Sequence, residues 1–157
     1  LHDNPVTTIE QMDLLTKEKR SWNMSRIKGK DTKPEIIVRS ILHKNGFRFR
    51  LNRKDLPGKP DIVLPKYQTV ILVHGCFWHR HPRCKFAYNP KSRVKFWQNK
   101  FSENVERDKN VRKKLRRMGW KVIVVWECEL RNMEKLKNVL LKKLLSKLAG
   151  CNNYNVT

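Results

Sequence analysis

Pro60-Asp61-Ile62-Val63-Leu64-Pro65-Lys66-Tyr67-Gln68-Thr69-Val70-Ile71-Leu72-Val73-His74 is the stretch on which the fold turns. Its two short β-branched runs, 61–64 and 69–73, are apolar after their first residue, the pattern of central strands covered on both faces. A third and stronger run, Trp120-Lys121-Val122-Ile123-Val124-Val125-Trp126, predicts another strand of the same sheet.

Working outward, Thr32-Lys33-Pro34-Glu35 reads as a helix start, with a Thr cap, Pro just inside and Glu placed to complete a capping box. Ile36, Ile37, Ile41 and Leu42 follow at helical spacing and Gly46 stops the run, which predicts a helix over 33–45. Phe47-Arg48-Phe49-Arg50-Leu51 alternates apolar and basic residues, as a half-buried strand does. A turn at 56–60 leads into the strand that begins at Asp61. Helical periodicity returns from Phe96 to Met118 through Trp97, Phe101, Val105, Val111 and Leu115, and Gly119 ends it. Leu136, Val139, Leu140, Leu144 and Leu148 mark the apolar face of a last helix, expected to pack on the sheet rather than on a membrane surface. Helices and strands in this order predict an α/β domain with a central mixed sheet. Residues 1–18 are expected to form a loose arm, 19–149 a single domain whose segment 19–33 is basic, and 150–157 a tail.

The 157 residues allow one domain with a real core. Against 14 Asp+Glu stand 36 Lys+Arg, a net charge of +22, and such self-repulsion favours a polyanionic partner, nucleic acid first. A disordered basic tail is excluded by the aliphatic runs and the 9% aromatic content. No apolar stretch reaches the roughly 20 residues of a membrane span, and the N-terminus lacks a signal-peptide pattern, so no membrane partner and an intracellular, cytoplasmic setting are expected.

The chemistry concentrates in His74-Gly75-Cys76-Phe77-Trp78-His79-Arg80-His81-Pro82-Arg83-Cys84, a density of His and Cys that packing does not require. Cys76, His81 and Cys84 have C-x4-H-x2-C spacing, and Cys128, after the strong strand, could complete a tetrahedral zinc site. Buried thiols beside solvent-facing histidines are the plainer reading, and a ligand set using His79 in place of His81 is another. In the first case His74 and His79 are left near the end of one strand, where a rigid His pair suits general acid–base chemistry. Cys151, in a polar tail, reads as a bystander. Pro60-Asp61 beside a neighbouring strand end is the layout in which restriction-type nucleases hold Mg2+ by carboxylates. Here Leu72 stands where a second acid belongs and His74 where a Lys belongs, so the main-chain oxygen of Val73 is the nearest further ligand. Phe77 and Trp78 are either core or a wedge between base pairs, and Trp97 could join them.

These residues carry a resemblance. Asn23-Met24, Asp31-Thr32, Glu35, residues 56–61, residues 74–79, Phe96-Trp97, residues 104–108, Gly119-Trp120 and residues 125–128, in that order, resemble the very-short-patch repair (Vsr) endonucleases. These are bacterial enzymes that nick DNA beside a T:G mismatch left by deamination of 5-methylcytosine. The resemblance implies a restriction-endonuclease-like fold with structural zinc and Mg2+-dependent cleavage of one strand on the 5′ side of the mismatched T. It also implies a monomer acting on double-stranded DNA in the bacterial nucleoid, linked functionally to a cytosine-5 methyltransferase. Residue by residue, it implies Asp61 as the metal-binding carboxylate, His79 activating the attacking water and His74 at the phosphate. Glu35 would assist through a water shell and Asp108 would orient a histidine. Phe77, Trp78 and Trp97 match intercalating aromatics, Met24 a probe from the opposite groove, and Lys100 and Asn104 residues that approach the mismatched pair. Two other functions compete: a double-strand endonuclease of restriction type, and a zinc-stabilised DNA-binding module without catalysis.

Overall fold

The computed structural model describes Thr16, Glu18, Lys19, Trp22, Ser25 and residues 29–146. Most of the expected arm and part of the basic segment 19–33 therefore lie outside the described residues. So do Met24, Leu148, Cys151 and the tail 150–157.

Helix α1 spans Lys33–Lys44, opened by Thr32, whose hydroxyl accepts from the Glu35 N–H, with Pro34 in its first turn. It stops where Gly46 takes φ +80°, a conformation that costs glycine nothing. Strand β1 is Ile62–Leu64, β2 Thr69–His74 and β3 Lys121–Trp126. Among the described residues they form one sheet in the order β1-β2-β3, antiparallel between β1 and β2 and parallel between β2 and β3. The mixed pairing is as expected. Helix α2 (Val94–Arg117) links β2 to β3, and α3 (Met133–Leu145) follows β3 after a 3-10 turn at Glu127–Arg131.

Strand side chains alternate between faces, and this sorts the core into two clusters. Ile62, Leu64, Ile71, Ile123 and Val125 face Val38, Ile41 and Leu42 of α1 and Leu136, Leu140 and Leu144 of α3. Val63 and Val70 face the other way, against Leu115 and Leu56, with Val111, Trp120 and Val122 packed around them. The apolar stripe of α3 thus packs on the sheet. None of the helices among the described residues is long and apolar enough to cross a membrane.

Two expectations need correction. Residues 47–51 are not a strand: Arg50 exchanges two 2.8 Å backbone hydrogen bonds with Val63, and this is an isolated bridge. The alternation is real, since Phe47 is buried and Phe49 partly so, but it reports packing. β1 is only three residues long, and Asn52, at φ +46°, turns the chain away before a ladder can grow. Ile36, one of the apolar residues at helical spacing, is 53% exposed, and α1 buries Val38, which is not among them.

One glycine sets the approach to the site. Gly58 has φ +72°, and a Cβ there would lie 2.5 Å from Cγ1 of Val111 on α2. Only glycine lets the turn 56–60 lie directly on α2, and that seat fixes where Pro60 and Asp61 enter β1.

Candidate active site

The start of β1, the end of β2, the N-terminus of α1 and the middle of α2 converge on an open cleft of about 750 Å3. Antiparallel register pairs Ile62 with Ile71, so Asp61 falls beside the last residues of β2. Its Oδ2 accepts a 2.7 Å hydrogen bond from the Val73 N–H, which holds the carboxylate against that peptide. Burial pushes the Asp61 carboxyl up to about 6, aided by the negative charge of Glu35 and opposed by the Val73 N–H, Arg39 and His79. Burial, more than any neighbouring charge, makes this acid ionise reluctantly, and the open cleft leaves room for a cation beside it.

Glu35 lies 4% exposed at the start of α1. One carboxylate oxygen accepts from the Thr32 hydroxyl at 2.8 Å, and the other from the Asp31 N–H at 3.0 Å and from Arg39 Nη2 at 2.7 Å. The capping box is therefore modified, because Glu35 reaches the residue before the cap instead of the cap's own N–H. So anchored, Glu35 lines the cleft wall.

His74 ends β2, and His79 comes from the loop after it. Their rings stack in parallel, with centroids 3.9 Å apart at 12°. His79 Nδ1 forms a short hydrogen bond with Asp108 of α2. Burial, together with the charge of His79, lowers the His74 pKa to about 4, so this ring is neutral near pH 7. Burial opposes ionisation of Asp108, but the hydrogen bond and charge of His79, with His74 and Arg107, hold its carboxyl below the usual range. The carboxylate fixes the His79 tautomer with the proton on Nδ1, leaving Nε2 as the basic nitrogen. Donor atoms of His74, His79 and Asp108 lie close enough together to chelate a metal. Stacked rings, however, aim their in-plane lone pairs side by side rather than at one point, and Nδ1 of His79 is already engaged. The arrangement suits a proton relay.

Cys76, His81, Cys84 and Cys128 form the second cluster, their donor atoms all within 4.8 Å of one another. His81 Nδ1 is 3.7 Å from Cys76 Sγ and 3.3 Å from Cys128 Sγ. A tetrahedron with Zn–S near 2.3 Å and Zn–N near 2.0 Å has edges of about 3.5–3.8 Å, so the donors are spaced closely to what zinc requires. Burial pushes the Cys76 thiol up to about 12 and raises Cys128, whereas backbone N–H groups, Phe86 first, lower Cys84. Three clustered sulfurs with one imidazole nitrogen are a donor set suited to a soft cation. The His81 ring stacks on Trp126 at 4.2 Å and 10°, which fixes its plane. His81, not His79, belongs to this set, and His79 is left to Asp108.

Phe77 lies at the centre of an aromatic group, with ring centroids 5.0–5.4 Å from those of Trp78, Tyr88, Trp97 and Phe101. Phe77, Trp78 and Trp97 are all half-buried, packed on one side and open on the other. The Asn104 amide donates to the Trp78 carbonyl at 3.1 Å, tying the aromatic loop to α2, and its oxygen accepts from Arg107. Lys100 is exposed on the cleft rim, one helical turn before Asn104. Of the site residues named from the sequence, Glu35, Asp61, Val73, His74, Trp78, His79, Lys100, Asn104 and Asp108 line the cleft, Phe77 and Trp97 pack against Trp78, the Cys76, His81, Cys84 and Cys128 set forms its own cluster, and Met24 lies outside the described residues. Sequence reasoning missed Arg39, Lys59, Arg107 and Glu127. The spacing of Glu35 and Arg39, i and i+4 on a helix, was the available signal for the first.

A family model described as DNA mismatch endonuclease Vsr matches residues 12–85. The chain is 52% identical over 120 residues to the type II nicking enzyme V.NmeAIP of Neisseria meningitidis, covering 76% of this chain and 85% of that one. It is 47% identical over 132 residues to the type II nicking enzyme V.XorIIP of Xanthomonas oryzae, covering 82% and 96%. With the DNA mismatch endonuclease Vsr of Escherichia coli it shares 43% over 133 residues, 85% of each chain. Among solved structures, the catalytic domain of the homing endonuclease I-Bth0305I superposes with a TM-score of 0.53 at 20% identity, covering 74% of this chain and 97% of that domain. That likeness concerns the fold.

Proposed function

The chain belongs to the Vsr DNA mismatch endonuclease family, and from that premise we propose that it is a Mg2+-dependent nickase. It would cut one strand of double-stranded DNA on the 5′ side of the T in a T:G pair arising from 5-methylcytosine deamination. The observation that carries the reading is the convergence of Asp61, His74 and the His79–Asp108 pair on one cleft beside half-buried aromatics.

In this reading the Asp61 carboxylate and the Val73 main-chain oxygen would hold Mg2+. Bound there, the ion would neutralise charge at the scissile phosphate and polarise it toward attack. His79, its Nδ1–H donated to Asp108, takes the proton of the attacking water at Nε2, and Asp108 stabilises the imidazolium that results. Neutral His74, shielded from water, donates a hydrogen bond to a phosphate oxygen. Glu35 orders water on the far wall of the cleft. Phe77, Trp78 and Trp97 wedge beside the mismatch, where a mispaired step costs less to unstack than a paired one. Lys100 and Asn104 face the displaced pair from α2. Cys76, His81, Cys84 and Cys128 hold Zn2+ and so fix the loop that carries both the histidine and the wedge. The enzyme would act as a monomer in the bacterial cytoplasm, following the sequence preference of a partner cytosine-5 methyltransferase.

The test is a strand-resolved cleavage assay on end-labelled duplexes with Mg2+. Nicking confined to the T-bearing strand of a T:G duplex, lost in Asp61→Asn while binding survives, is expected. Cutting of both strands of a fully paired duplex would establish a restriction-type enzyme instead, and binding without any metal-dependent breakage a non-catalytic module.

A further inference from the structure

Arg39 is a charged side chain held in a largely buried place, paired with one buried carboxylate, Glu35, and one exposed carboxylate, Asp31. Only 13% of its side chain is exposed, and its Nε is buried with no hydrogen-bond partner among the described residues. Its two terminal nitrogens bind different carboxylates: Nη2 donates to Glu35 at 2.7 Å and Nη1 to Asp31 at 2.6 Å. Asp31 holds φ +54°, a left-handed conformation that an L residue adopts at a cost, and its N–H returns to the same Glu35 oxygen at 3.0 Å. Arg39, Glu35 and Asp31 therefore close a ring of three charge-assisted contacts across the start of α1. A buried ion pair such as Arg39–Glu35 adds little net stability compared with apolar replacements, and with Nε left unpartnered among the described residues the pair points to what the guanidinium positions. A planar fork can hold two carboxylates at a fixed separation, which a Lys ammonium on a flexible stem does not.

We propose that Arg39 is a positioning residue for strand cleavage: it fixes the Glu35 carboxylate on the cleft wall and locks the turn at Asp31 through which the chain enters α1. The proposal rests on the nickase reading above and adds to it the residue that orients Glu35. Without the fork, Glu35 keeps the Thr32 hydroxyl but loses the guanidinium on its other oxygen, and Asp31 loses its contact with Arg39. Misplacement of a group by about an ångström can cost a hundredfold in rate, so the loss falls on the chemical step.

A double-mutant cycle on single-turnover nicking of a T:G duplex tests this, with DNA affinity measured separately in EDTA and melting temperature followed throughout. Arg39→Met, which keeps the aliphatic stem, should slow nicking about tenfold to a hundredfold. Affinity should stay within about threefold, because the side chain is not on the surface. Arg39→Lys should recover part of the rate, and Asp31→Asn should fall between wild type and Arg39→Met. In a Glu35→Gln background Arg39→Met should change the rate by less than about twofold, because its target is already gone. The same loss in both backgrounds would overturn the proposal and leave Arg39 a structural residue. A Glu35→Gln protein that nicks as wild type would also overturn it while sparing Asp61. If Arg39→Met does not fold, the Asp31→Asn and Arg39→Lys cycles with Glu35→Gln decide by the same criterion. Absence of any Mg2+-dependent nicking by the wild-type protein, run alongside, would instead refute the nickase reading, and nicking by Asp61→Asn would refute the metal-site assignment alone.

Discussion

Replacing Asp61 by Asn should stabilise the metal-free protein at neutral and alkaline pH while abolishing nicking. The carboxyl lies at about 6 in the folded chain against an ordinary 3.8, chiefly through burial. Between those values the folded state binds the proton that the unfolded chain has released, so stability falls as pH rises through the interval. Above pH 7 the full penalty of the buried, ionised group is present. About two pH units at about 1.4 kcal/mol each give roughly 3 kcal/mol, and partial solvent access lowers this to about 2–3 kcal/mol. Asn is the neutral counterpart, and its side-chain oxygen still accepts the Val73 N–H. For a chain of this size the gain corresponds to a melting temperature about 4–12 °C higher at pH 8 in EDTA. Below about pH 4 the two proteins should melt together, because Asp61 is then protonated in the native chain as well. Mg2+ at about ten times its Kd should raise wild type by about 1.4 kcal/mol and leave Asp61→Asn unchanged, narrowing the gap. The measurement is paired scanning calorimetry across pH 4–8 with and without Mg2+. An Asn variant no more stable than wild type at pH 8, or a gain that persists at pH 4, would refute the reasoning about burial.

Zinc held by the Cys76, His81, Cys84 and Cys128 cluster, as proposed, would give about one equivalent in freshly purified protein, lost in Cys128→Ala with a markedly lower melting temperature; less than half an equivalent counts against it. Asp108→Asn should lower the single-turnover rate about tenfold to a hundredfold with DNA affinity unchanged, and His79→Ala/Asp108→Asn should be no worse than His79→Ala alone; additive losses would separate the two residues. Trp78→Ala should bring T:G and T:A duplexes closer in affinity, which competition binding would reveal; retained discrimination would make Trp78 mere core. With +22 charges, affinity should fall about 10^3-fold to 10^5-fold between 50 and 200 mM salt if six to ten phosphates are contacted, while the T:G to T:A ratio changes far less; a flat salt response would remove the electrostatic account.

Much of the fold was legible because strong local signals agreed with it. Apolar runs became β1, β2 and β3, and the Thr32 cap and Gly46 stop bounded α1 as read. Where the reading failed, an apolar period was mistaken for a pairing partner: Phe47 and Phe49 alternate because they pack, and Asn52 ends the pairing after one bridge. Ile36 fits a helical stripe but falls beyond the arc that α1 turns to the sheet.

By itself the sequence determined the composition of the chemistry. Spacing within 74–84 supplied one Cys/His ligand set and a separate histidine pair in one loop, and the charge excess favoured a polyanion as partner. What it left open was which histidine belongs to which set, since His79 and His81 stand only two residues apart in the same loop. Tertiary structure separates them, because α2 brings Asp108 to His79 while the end of β3 and the turn after it bring Trp126 and Cys128 to His81. Asp61 likewise means little as a Pro-Asp dipeptide and acquires its shifted pKa only from burial beside β2 and Glu35. Ligand identity can be written in local spacing, but protonation and orientation depend on neighbours 12 to 47 residues away along the chain, which only folding puts within hydrogen-bond reach.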